Sequence, residues 1–542
     1  MSLTRVHKFF SLSEMMDEKS RGSLTIFYKV VIITILTTIS TYIALRSYYV
    51  PITYDEAFTI LKHVPNSYSV ILGLKIALVE EFANNHSLNT AAIKFLLSYL
   101  PMSEFVVRIP NLLAGILFIF IYLLILIKLK INDWKLVILF LFGISSSVLL
   151  EFFSLARGYG LSIALFFAGY YVWLRTDREI NPRFFLRLSF AGILFSLALI
   201  ANLSIIFAIL GVSITETIYF FVEIYRKNNQ SNKFDFISSI KLLLYYILSV
   251  SPSLFLLKKV YGKTLPIART LNLFYVQNRD GYLSGSLMSL AKDWTPILTQ
   301  EQQLLYLKIS SFLFFPAVLF FIYYIVLKKN FQKIKYQHDI QVLGTFIFVS
   351  IAPSLMDIFL HTGFPYERSA IYIIPIYALF TSVLIRILSE SKSYLILSYR
   401  YLLIGIVFFT TILSLFGFNI RKTLYWAFDS TSRYQYAALK RELDLFPSKK
   451  DKMIAVGVDW YLEPSFNFYR IQSQDENLFL PVKCESPLHS KFDYIFLLDG
   501  SDARIPDQSY IPSNLKELEK WKVIEYWPET GVRLLRNEKM QE

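Results

Sequence analysis

The sequence is poor in cysteine and in charged residues. Cys484 is the one cysteine of the chain, which excludes a disulfide within the chain and leaves the redox state of its compartment open. Charged residues make up only 18% of the 542 residues, against 54% hydrophobic residues. No internal repeat and no low-complexity tract is evident in the sequence. With a mean hydropathy of +0.45, this composition argues against a soluble protein and predicts an integral membrane protein.

Eleven apolar runs are long enough, or nearly so, to cross a hydrocarbon core of about 30 Å. The runs are Phe27–Leu45, Pro110–Ile127, Leu136–Leu150, Gly158–Leu174, Leu186–Ala201, Leu203–Phe221, Ile237–Leu257, Leu304–Leu327, Val342–Leu360, Ile371–Ile387 and Tyr401–Phe418. The first run is too long for the hydrophobic part of a signal peptide, and no small-residue cleavage site follows it. We therefore expect a polytopic α-helical membrane protein with about 11 transmembrane helices.

The net charge of +14 is distributed as in membrane proteins and not as in proteins that bind nucleic acids. Lysine and arginine cluster in alternate connections between the apolar runs, and the short connections in between carry at most one such residue. The basic connections contain the segments KLKINDWK, RTDREINPR, YRKNNQSNK and KKNFQKIK. Under the positive-inside rule these segments and the N-terminus face the cytoplasm, and eleven spans then place the C-terminal region outside.

This topology divides the chain into three parts. Residues 1–26 form a cytoplasmic segment, residues 27–418 the transmembrane module, and residues 419–542 an extracytoplasmic domain. Two long outer loops belong to the module, at residues 46–108 and 258–303. The C-terminal part contains three strand-like segments and one segment with helical spacing, which together predict a small α/β domain.

Two adjacent carboxylates, Asp55 and Glu56, follow the first apolar run in the segment YVPITYDEAFT. Thr53 and Glu56 have the spacing of a capping box, in which Thr53 begins a helix and Glu56 accepts a hydrogen bond from its backbone. That structural role explains Glu56 better than Asp55. Because a capped helix start holds its side chains rigidly, we predict that Asp55 is a catalytic base, with Glu56 as the second member of the catalytic pair.

Further polar residues lie in the outward connections. They are His86 and Asn89 in the first outer loop, Glu151 and Arg157 after the third run, Asn202 after the fifth, and Asp357, His361, Glu367 and Arg368 around the turn after the ninth. Charges at a membrane edge are costly and often functional. Ordinary alternatives exist, because Arg157 and Arg368 can be interfacial anchors, His86 a loop histidine and Asp357 a partner of a nearby arginine.

The order and sidedness of these segments resemble those of the polytopic GT-C glycosyltransferases. The similarity lies in the outward DE pair, in NHSLNT followed by SEFVVRIPNLLAG, and in the turn ARGYGLS. Among these enzymes the chain is similar to the bacterial branch related to protein O-mannosyltransferases and to the transferase that adds aminoarabinose to lipid A. The resemblance covers roughly Phe27 to Ile387. The chain departs from the pattern at Ser87, where relatives usually have proline after the histidine.

The resemblance implies transfer of a sugar from a polyprenyl phosphate to a lipid, glycan or protein acceptor at the outer face of the bacterial cytoplasmic membrane. Asp55 then serves as the base of an inverting displacement, and Arg157 and Arg368 neutralise the leaving phosphate. The expected substrate-binding residues are these two arginines with His86, Asn89, Glu151 and Asn202. Carboxylate pairs can bind a divalent metal, but no second acidic cluster is evident, so we expect no cofactor and no obligatory metal.

Two other classes of membrane protein stay open from the sequence. A transporter or flippase also carries membrane-embedded charges, but it tends to have paired repeats with spans broken by glycine or proline, which are not evident in this sequence. An oligosaccharide polymerase or ligase would place its essential residues mainly in a later loop such as residues 258–303. Whether activity depends on Asp55 or on that loop distinguishes such an enzyme from the predicted one.

Reporter fusions at Lys333 and Ser448 test the predicted topology. Lys333 lies within the basic connection KKNFQKIK and Ser448 lies in the C-terminal part, so we expect a cytoplasmic signal at the first and an external signal at the second. The measurement is the activity of two reporters, one functional only inside and the other only outside. Signals from the same side at both positions would refute the eleven-span topology.

Overall fold

A computed structural model gives the structure of the greater part of the chain. It describes residues 26–73, 86–176, 182–230, 281–309, 337–360, 364–390, 393–445, 454–459, 461–475, 479–483, 492–498 and 521–538, with isolated residues between 240 and 258. The described helices and strands form a membrane-spanning helical bundle followed by a small α/β domain.

The helices are numbered here in chain order. They are α1 (Ile26–Tyr49), α2 (Tyr54–Lys62), α3 (Tyr68–Ile71), α4 (Ser87–Leu97), α5 (Glu104–Lys128), α6 (Asp133–Ile144), α7 (Ser147–Ser154), α8 (Gly158–Leu174), α9 (Pro182–Ala201), α10 (Ile206–Gln230), α11 (Met288–Trp294), α12 (Gln337–Leu360), α13 (Ile373–Leu388), α14 (Tyr394–Leu415), α15 (Ser432–Leu445) and α16 (Glu463–Gln472). Short 3₁₀ turns lie at Leu203–Ile205, Glu367–Ser369 and Ala427–Asp429.

Among the described residues, six helices are long and apolar enough to cross a membrane, and the bent pair α6–α7 gives up to seven. The shorter apolar helices α8 and α13 coincide with two further predicted runs. The runs Ile237–Leu257 and Leu304–Leu327 fall largely outside the described residues. The prediction of a polytopic α-helical membrane protein is confirmed, and the count of eleven spans stays a prediction.

Two features shape the bundle, the close packing of its helices and the bend between α6 and α7. A Cβ atom on Gly211 of α10 would lie 2.5 Å from Cγ2 of Val349 on α12, so this glycine lets the two backbones approach. Between α6 and α7 the chain bends by 62°. Ser146 caps α7 by accepting a hydrogen bond from the backbone N–H of Leu149 at 3.4 Å. The bend brings α7 and the turn that follows it to the end of the bundle that carries α2.

The C-terminal domain combines a five-stranded mixed sheet with helices, which makes it an α/β domain. Its strands are β1 (Ile454–Val458), β2 (Phe479–Lys483), β3 (Tyr494–Leu498), β4 (Trp521–Trp527) and β5 (Val532–Asn537), in the order β2-β1-β3-β5-β4. β1 pairs in parallel with β2 and β3, and β5 pairs antiparallel with β3 and β4. Helix α16 connects β1 to β2, and α15 precedes the sheet. The predicted α/β domain is confirmed.

The connection between α1 and α5 and the C-terminal domain share one hydrophobic core. Buried apolar side chains of α2, such as Ala57 and Ile60, belong to the same cluster as Leu439 and Phe466 of the C-terminal domain. Arg433 of α15 forms an ion pair with Glu104 at the start of α5, at 2.8 Å. The two parts therefore lie on the same side of the bundle.

Candidate active site

The helix that carries the acidic pair begins with the predicted capping box. The Thr53 Oγ1 atom accepts a hydrogen bond from the backbone N–H of Glu56 at 3.4 Å, and Glu56 Oε2 accepts one from the Thr53 N–H at 3.0 Å. Each residue thus satisfies a backbone donor that helix formation leaves free. The box fixes the direction in which α2 leaves the end of α1.

Glu56 forms a fully buried ion pair with Arg108 of α5. The Nε and Nη2 atoms of Arg108 lie 2.8 and 2.7 Å from Oε1 and Oε2 of Glu56, and both side chains have 0% exposure. The backbone N–H of Ala156 donates to the same Oε1 atom. Burial alone would raise the pKa of Glu56, but Arg108 and the backbone amides hold it below the usual value. Glu56 is therefore an ionised carboxylate, and from its buried position it holds Arg108 and the backbone at Thr53 and Ala156.

Arg108 also closes the turn between α1 and α2. Its Nη1 atom donates to the backbone oxygens of Ser47 and Val50, at 3.2 and 2.6 Å, and Nη2 donates to that of Pro51 at 2.8 Å. Because these carbonyls follow the last turn of a helix, they have no helical partner of their own. One guanidinium group therefore satisfies both the Glu56 carboxylate and the end of α1.

Asp55 lies between two arginines that come from distant connections. Arg368 Nη1 is 2.8 Å and Arg157 Nη2 is 3.2 Å from the same carboxylate oxygen, Oδ2 of Asp55. Arg157 also donates to the backbone oxygen of Asp55 at 3.2 Å and to Thr59 Oγ1 at 3.4 Å. The side chain of Asp55 is 20% exposed and that of Arg368 is 40% exposed. A carboxyl group and two guanidinium groups thus meet at a place that a ligand can reach.

The loop that carries Arg368 is tightly held. Glu367 has a φ of 47°, in the left-handed region that is costly for a residue other than glycine. Its backbone N–H donates to Ser289 Oγ at 3.0 Å, which fixes the loop against α11. The guanidinium group of Arg368 lies over the ring of Trp426, 5.4 Å from the ring centroid. The contact of the loop with α11 and the contact with Trp426 therefore fix the position of Arg368.

Two neutral histidines line the buried side of the arginines. The pKa of His63 is lowered to about 4 by its burial and by the charge of Arg157. Burial, with Arg157 and Arg368, also lowers the pKa of His86 well below its usual value. The Nε2 atoms of both rings are buried and have no hydrogen-bond partner in the described part of the chain. These histidines add polar atoms but no charge at neutral pH.

Close packing around Gly158 holds His86 in place. A Cβ atom at Gly158 would lie 2.1 Å from the backbone oxygen of Ala201 and 2.6 Å from Cβ of His86. Neither distance is tolerable for a real side chain, so only glycine lets α8 start here. The ring of His86 meets the edge of Tyr159 at a centroid distance of 5.0 Å.

The two predicted asparagines make local backbone contacts. Asn89 donates to the backbone oxygen of Ala156 at 3.0 Å and accepts from Asn111 at 2.8 Å, with 0% exposure. Asn202 accepts from the backbone N–H of Ser204 at 2.9 Å. The Nδ2 atom of Asn202 is buried and has no partner among the described residues, so this amide can still donate. Asn89 therefore supports the turn around Ala156, and the substrate-binding roles of both residues stay predictions.

Glu151 contacts the segment that leads into the C-terminal domain. Both of its carboxylate oxygens accept from the backbone N–H of Leu424 at 3.0 Å, and Arg46 Nη2 lies 3.2 Å from Oε2. Glu151 is 1% exposed. In this structure it holds that segment on the bundle, and its predicted role in substrate binding stays a prediction.

Sequence reasoning missed Asp429, which reaches the site from the C-terminal part. Its Oδ2 atom accepts a hydrogen bond from the backbone N–H of Tyr54, the first residue of α2, at 2.6 Å. Burial and the neighbouring carboxylates of Asp55 and Glu56 raise the pKa of Asp429 well above its usual value. No local pattern signals this contact, because 375 residues separate the two partners. The predicted residue His361 lies outside the described residues.

The described ranges contain no group of three or more His, Cys, Asp or Glu side chains that could hold a metal ion. The charged atoms nearest to Asp55 are guanidinium groups, which occupy one of its oxygens. Guanidinium groups bind anions such as phosphate and not metal cations. The expectation of no cofactor and no obligatory metal stays a prediction.

Comparison with known proteins gives a likeness in fold. No family model and no curated protein sequence matches the chain. The chain is similar to the crystal structure of ArnT from Cupriavidus metallidurans in the apo state, with a TM-score of 0.47 and 9% identity over 94% of this chain and 97% of that one. For the same ArnT bound to undecaprenyl phosphate the TM-score is 0.46 and the identity 10%, with the same coverage.

Changing Arg108 to Met tests the structural role of the buried ion pair. The change leaves the Glu56 carboxylate buried without its cation, so we expect a loss of about 3–5 kcal/mol in the free energy of unfolding. The measurement is the thermal unfolding midpoint in detergent. Arg441→Ala is the matched control, because it removes an exposed pair with Glu525 and should cost about 1 kcal/mol or less. Equal shifts for both variants would contradict the assignment.

Proposed function

We propose that this chain is a membrane glycosyltransferase that takes a sugar from a polyprenyl-phosphate donor. The observation that carries the proposal is the Asp55 carboxylate held by Arg157 and Arg368 at 3.2 and 2.8 Å. It joins a base and two phosphate-binding cations at the end of a membrane bundle. The outward orientation of this end, in the bacterial cytoplasmic membrane, is part of the proposal and rests on the charge distribution of the connections.

The charge of the site favours an anionic ligand. Two arginines and one aspartate, with both histidines neutral, leave one net positive charge where Arg368 is 40% exposed. The phosphate of a polyprenyl-phosphate sugar is a diester with one negative charge, as a carboxylate has, and its two free oxygens can accept from both guanidinium groups at once. The donor phosphate therefore competes with Asp55 for the arginines. When it binds, the phosphate replaces the carboxylate and releases it toward the acceptor.

The released carboxylate of Asp55 then acts as the base of the reaction. Asp55 accepts the proton of an acceptor hydroxyl or amine as that group attacks the anomeric carbon of the sugar. A bond forms between the acceptor atom and the anomeric carbon, and the bond from that carbon to the phosphate oxygen breaks. The departing lipid phosphate gains negative charge, which Arg157 and Arg368 stabilise. Because the acceptor displaces the phosphate directly, the configuration at the anomeric carbon inverts.

The supporting groups make this geometry rigid before any substrate arrives. The Glu56–Arg108 pair and the capping box hold the backbone of Asp55, and the Ala156 N–H is bound to the same Glu56 carboxylate. Catalytic groups that are held in place need little reorganisation in the transition state. The acceptor is a lipid, a glycan or a protein in this proposal, and the sugar is a hexose or a pentose.

Variants of the three charged residues separate donor binding from transfer. With purified protein in nanodiscs, binding is measured with undecaprenyl phosphate and transfer with polyprenyl-phosphate sugars and candidate acceptors. Asp55→Asn should lower transfer roughly a hundredfold or more while the probe still binds, because the amide removes the base. Arg157→Ala and Arg368→Ala should weaken binding of the probe by roughly tenfold or more, and lysine should restore it only in part.

Arg441→Ala serves as the control for these variants, because Arg441 lies outside the site and forms an exposed ion pair with Glu525. It should bind the probe and transfer sugar like the unchanged protein. Full activity in Asp55→Asn would show that Asp55 is not the base. Unchanged probe binding in both arginine variants would show that the arginines are interfacial anchors.

A further inference from the structure

The chain between the last span and the C-terminal domain lies against the site. This connecting segment, residues 419–429, begins where the backbone oxygen of Asn419 accepts a hydrogen bond from Arg46. In its middle, the backbone N–H of Leu424 donates to Glu151 at 3.0 Å. Two buried side chains of the bundle therefore hold the first half of the segment in place.

The second half of the segment reaches one of the two arginines. Trp426 is 4% exposed, and its ring lies under the guanidinium group of Arg368, 5.4 Å from the ring centroid. The Trp426 backbone N–H donates to Thr423 Oγ1 at 3.2 Å, and its ring meets the edge of Phe152. A buried ring that cannot move gives Arg368 a fixed surface to lie on.

Three residues later the segment reaches the helix of the base. Asp429 is 1% exposed and accepts from the backbone N–H of Tyr54 at 2.6 Å. The capping box at the start of α2 is formed by Thr53 and Glu56 and does not use this N–H. The other oxygen of Asp429 accepts from Ser465 Oγ at 3.2 Å. Asp429 thus ties α2 to the first turn of α16 in the C-terminal domain.

We propose that Trp426 and Asp429 are positioning residues of the transfer site, and that the connecting segment completes this site. Trp426 fixes the guanidinium group that receives the donor phosphate. Asp429 fixes the start of the helix that aims Asp55 at the acceptor. The inference rests on the proposed function, and it assigns a task to the C-terminal part of the chain that the sequence left open.

A purely structural role for these residues makes a different prediction. If Trp426 and Asp429 only stabilise the fold, their loss reduces the amount of folded protein and changes neither donor affinity nor turnover per folded molecule. If they position the site, the two residues act on different steps. Trp426 then affects donor binding through Arg368, and Asp429 affects turnover through Asp55.

The donor half of the proposal is tested with Trp426→Leu and Trp426→Phe in nanodiscs. The leucine variant should bind undecaprenyl phosphate about threefold to tenfold more weakly, because the cation loses its aromatic face. The phenylalanine variant should recover most of that affinity. Glu525→Ala, an exposed change in the same C-terminal part, should bind as the unchanged protein does. Equal affinity in the leucine variant and the unchanged protein would overturn the role of Trp426.

The acceptor half is tested with Asp429→Ala and Asp429→Asn. The alanine variant should lose roughly tenfold to a hundredfold in turnover with donor affinity retained, because a misplaced base is inefficient. The asparagine variant should recover most of the turnover, since its oxygen accepts the same hydrogen bond. Hydrogen exchange in a peptide that contains Tyr54 should be faster in the alanine variant only. Unchanged exchange and turnover in that variant would overturn the role of Asp429.

These measurements separate the inference from the proposed function. Probe binding and hydrogen exchange do not require sugar transfer. If the unchanged protein transfers no sugar but the Trp426 and Tyr54 signals change as expected, the proposed reaction fails and the positioning roles stand. If sugar is transferred and the Trp426 and Asp429 variants behave like Glu525→Ala, the reaction stands and the positioning roles fail.

Discussion

The buried pair of Glu56 and Arg108 is the interaction on which the site depends. Its carboxylate binds three parts of the chain: the start of α2, helix α5 and the turn at Ala156. Asp55 is the neighbour of Glu56, and Arg157 is the neighbour of Ala156. One ion pair therefore sets the distance between Asp55 and Arg157. Both charges are fully buried, so removing either would leave the other without compensation.

Further contacts around this pair join the bundle to the C-terminal domain. Arg108 binds the carbonyls at the end of α1, so the first span and the acidic helix have one fixed geometry. Arg46 and Glu151 hold the connecting segment on the bundle, and that segment delivers Trp426 and Asp429 to the site. These contacts satisfy backbone groups that are buried away from water. The same contacts that stabilise the fold thus leave Asp55 and Arg368 as the reachable charged groups.

Local patterns predicted the parts of this arrangement that depend on neighbours in sequence. The spacing of Thr53 and Glu56 predicted the capping box, and the apolar runs predicted the helices of the bundle. The alternation of basic connections placed Arg157 and Arg368 on one side with Asp55, and the structure brings all three together. Such predictions succeed because helix caps and apolar spans are decided by residues a few positions apart.

The rest depends on partners that are far apart in the sequence. Arg108 lies 52 residues from Glu56, and Asp429 lies 375 residues from Tyr54, so no local spacing identifies either contact. Polar residues such as Asn89 were predicted to bind substrate because they lie near the membrane edge. In the structure Asn89 binds the backbone of the Ala156 turn, and its role in substrate binding stays a prediction. A sequence cannot tell which polar groups face a ligand and which satisfy the backbone.

The central claim is that a donor phosphate replaces Asp55 on the two arginines. The most direct test is an experimental structure of the protein in nanodiscs with undecaprenyl phosphate bound. The account predicts phosphate oxygens at about 3 Å from the guanidinium groups of Arg157 and Arg368, with the Asp55 carboxylate detached from both. A phosphate bound elsewhere, with both ion pairs of Asp55 intact, would contradict it.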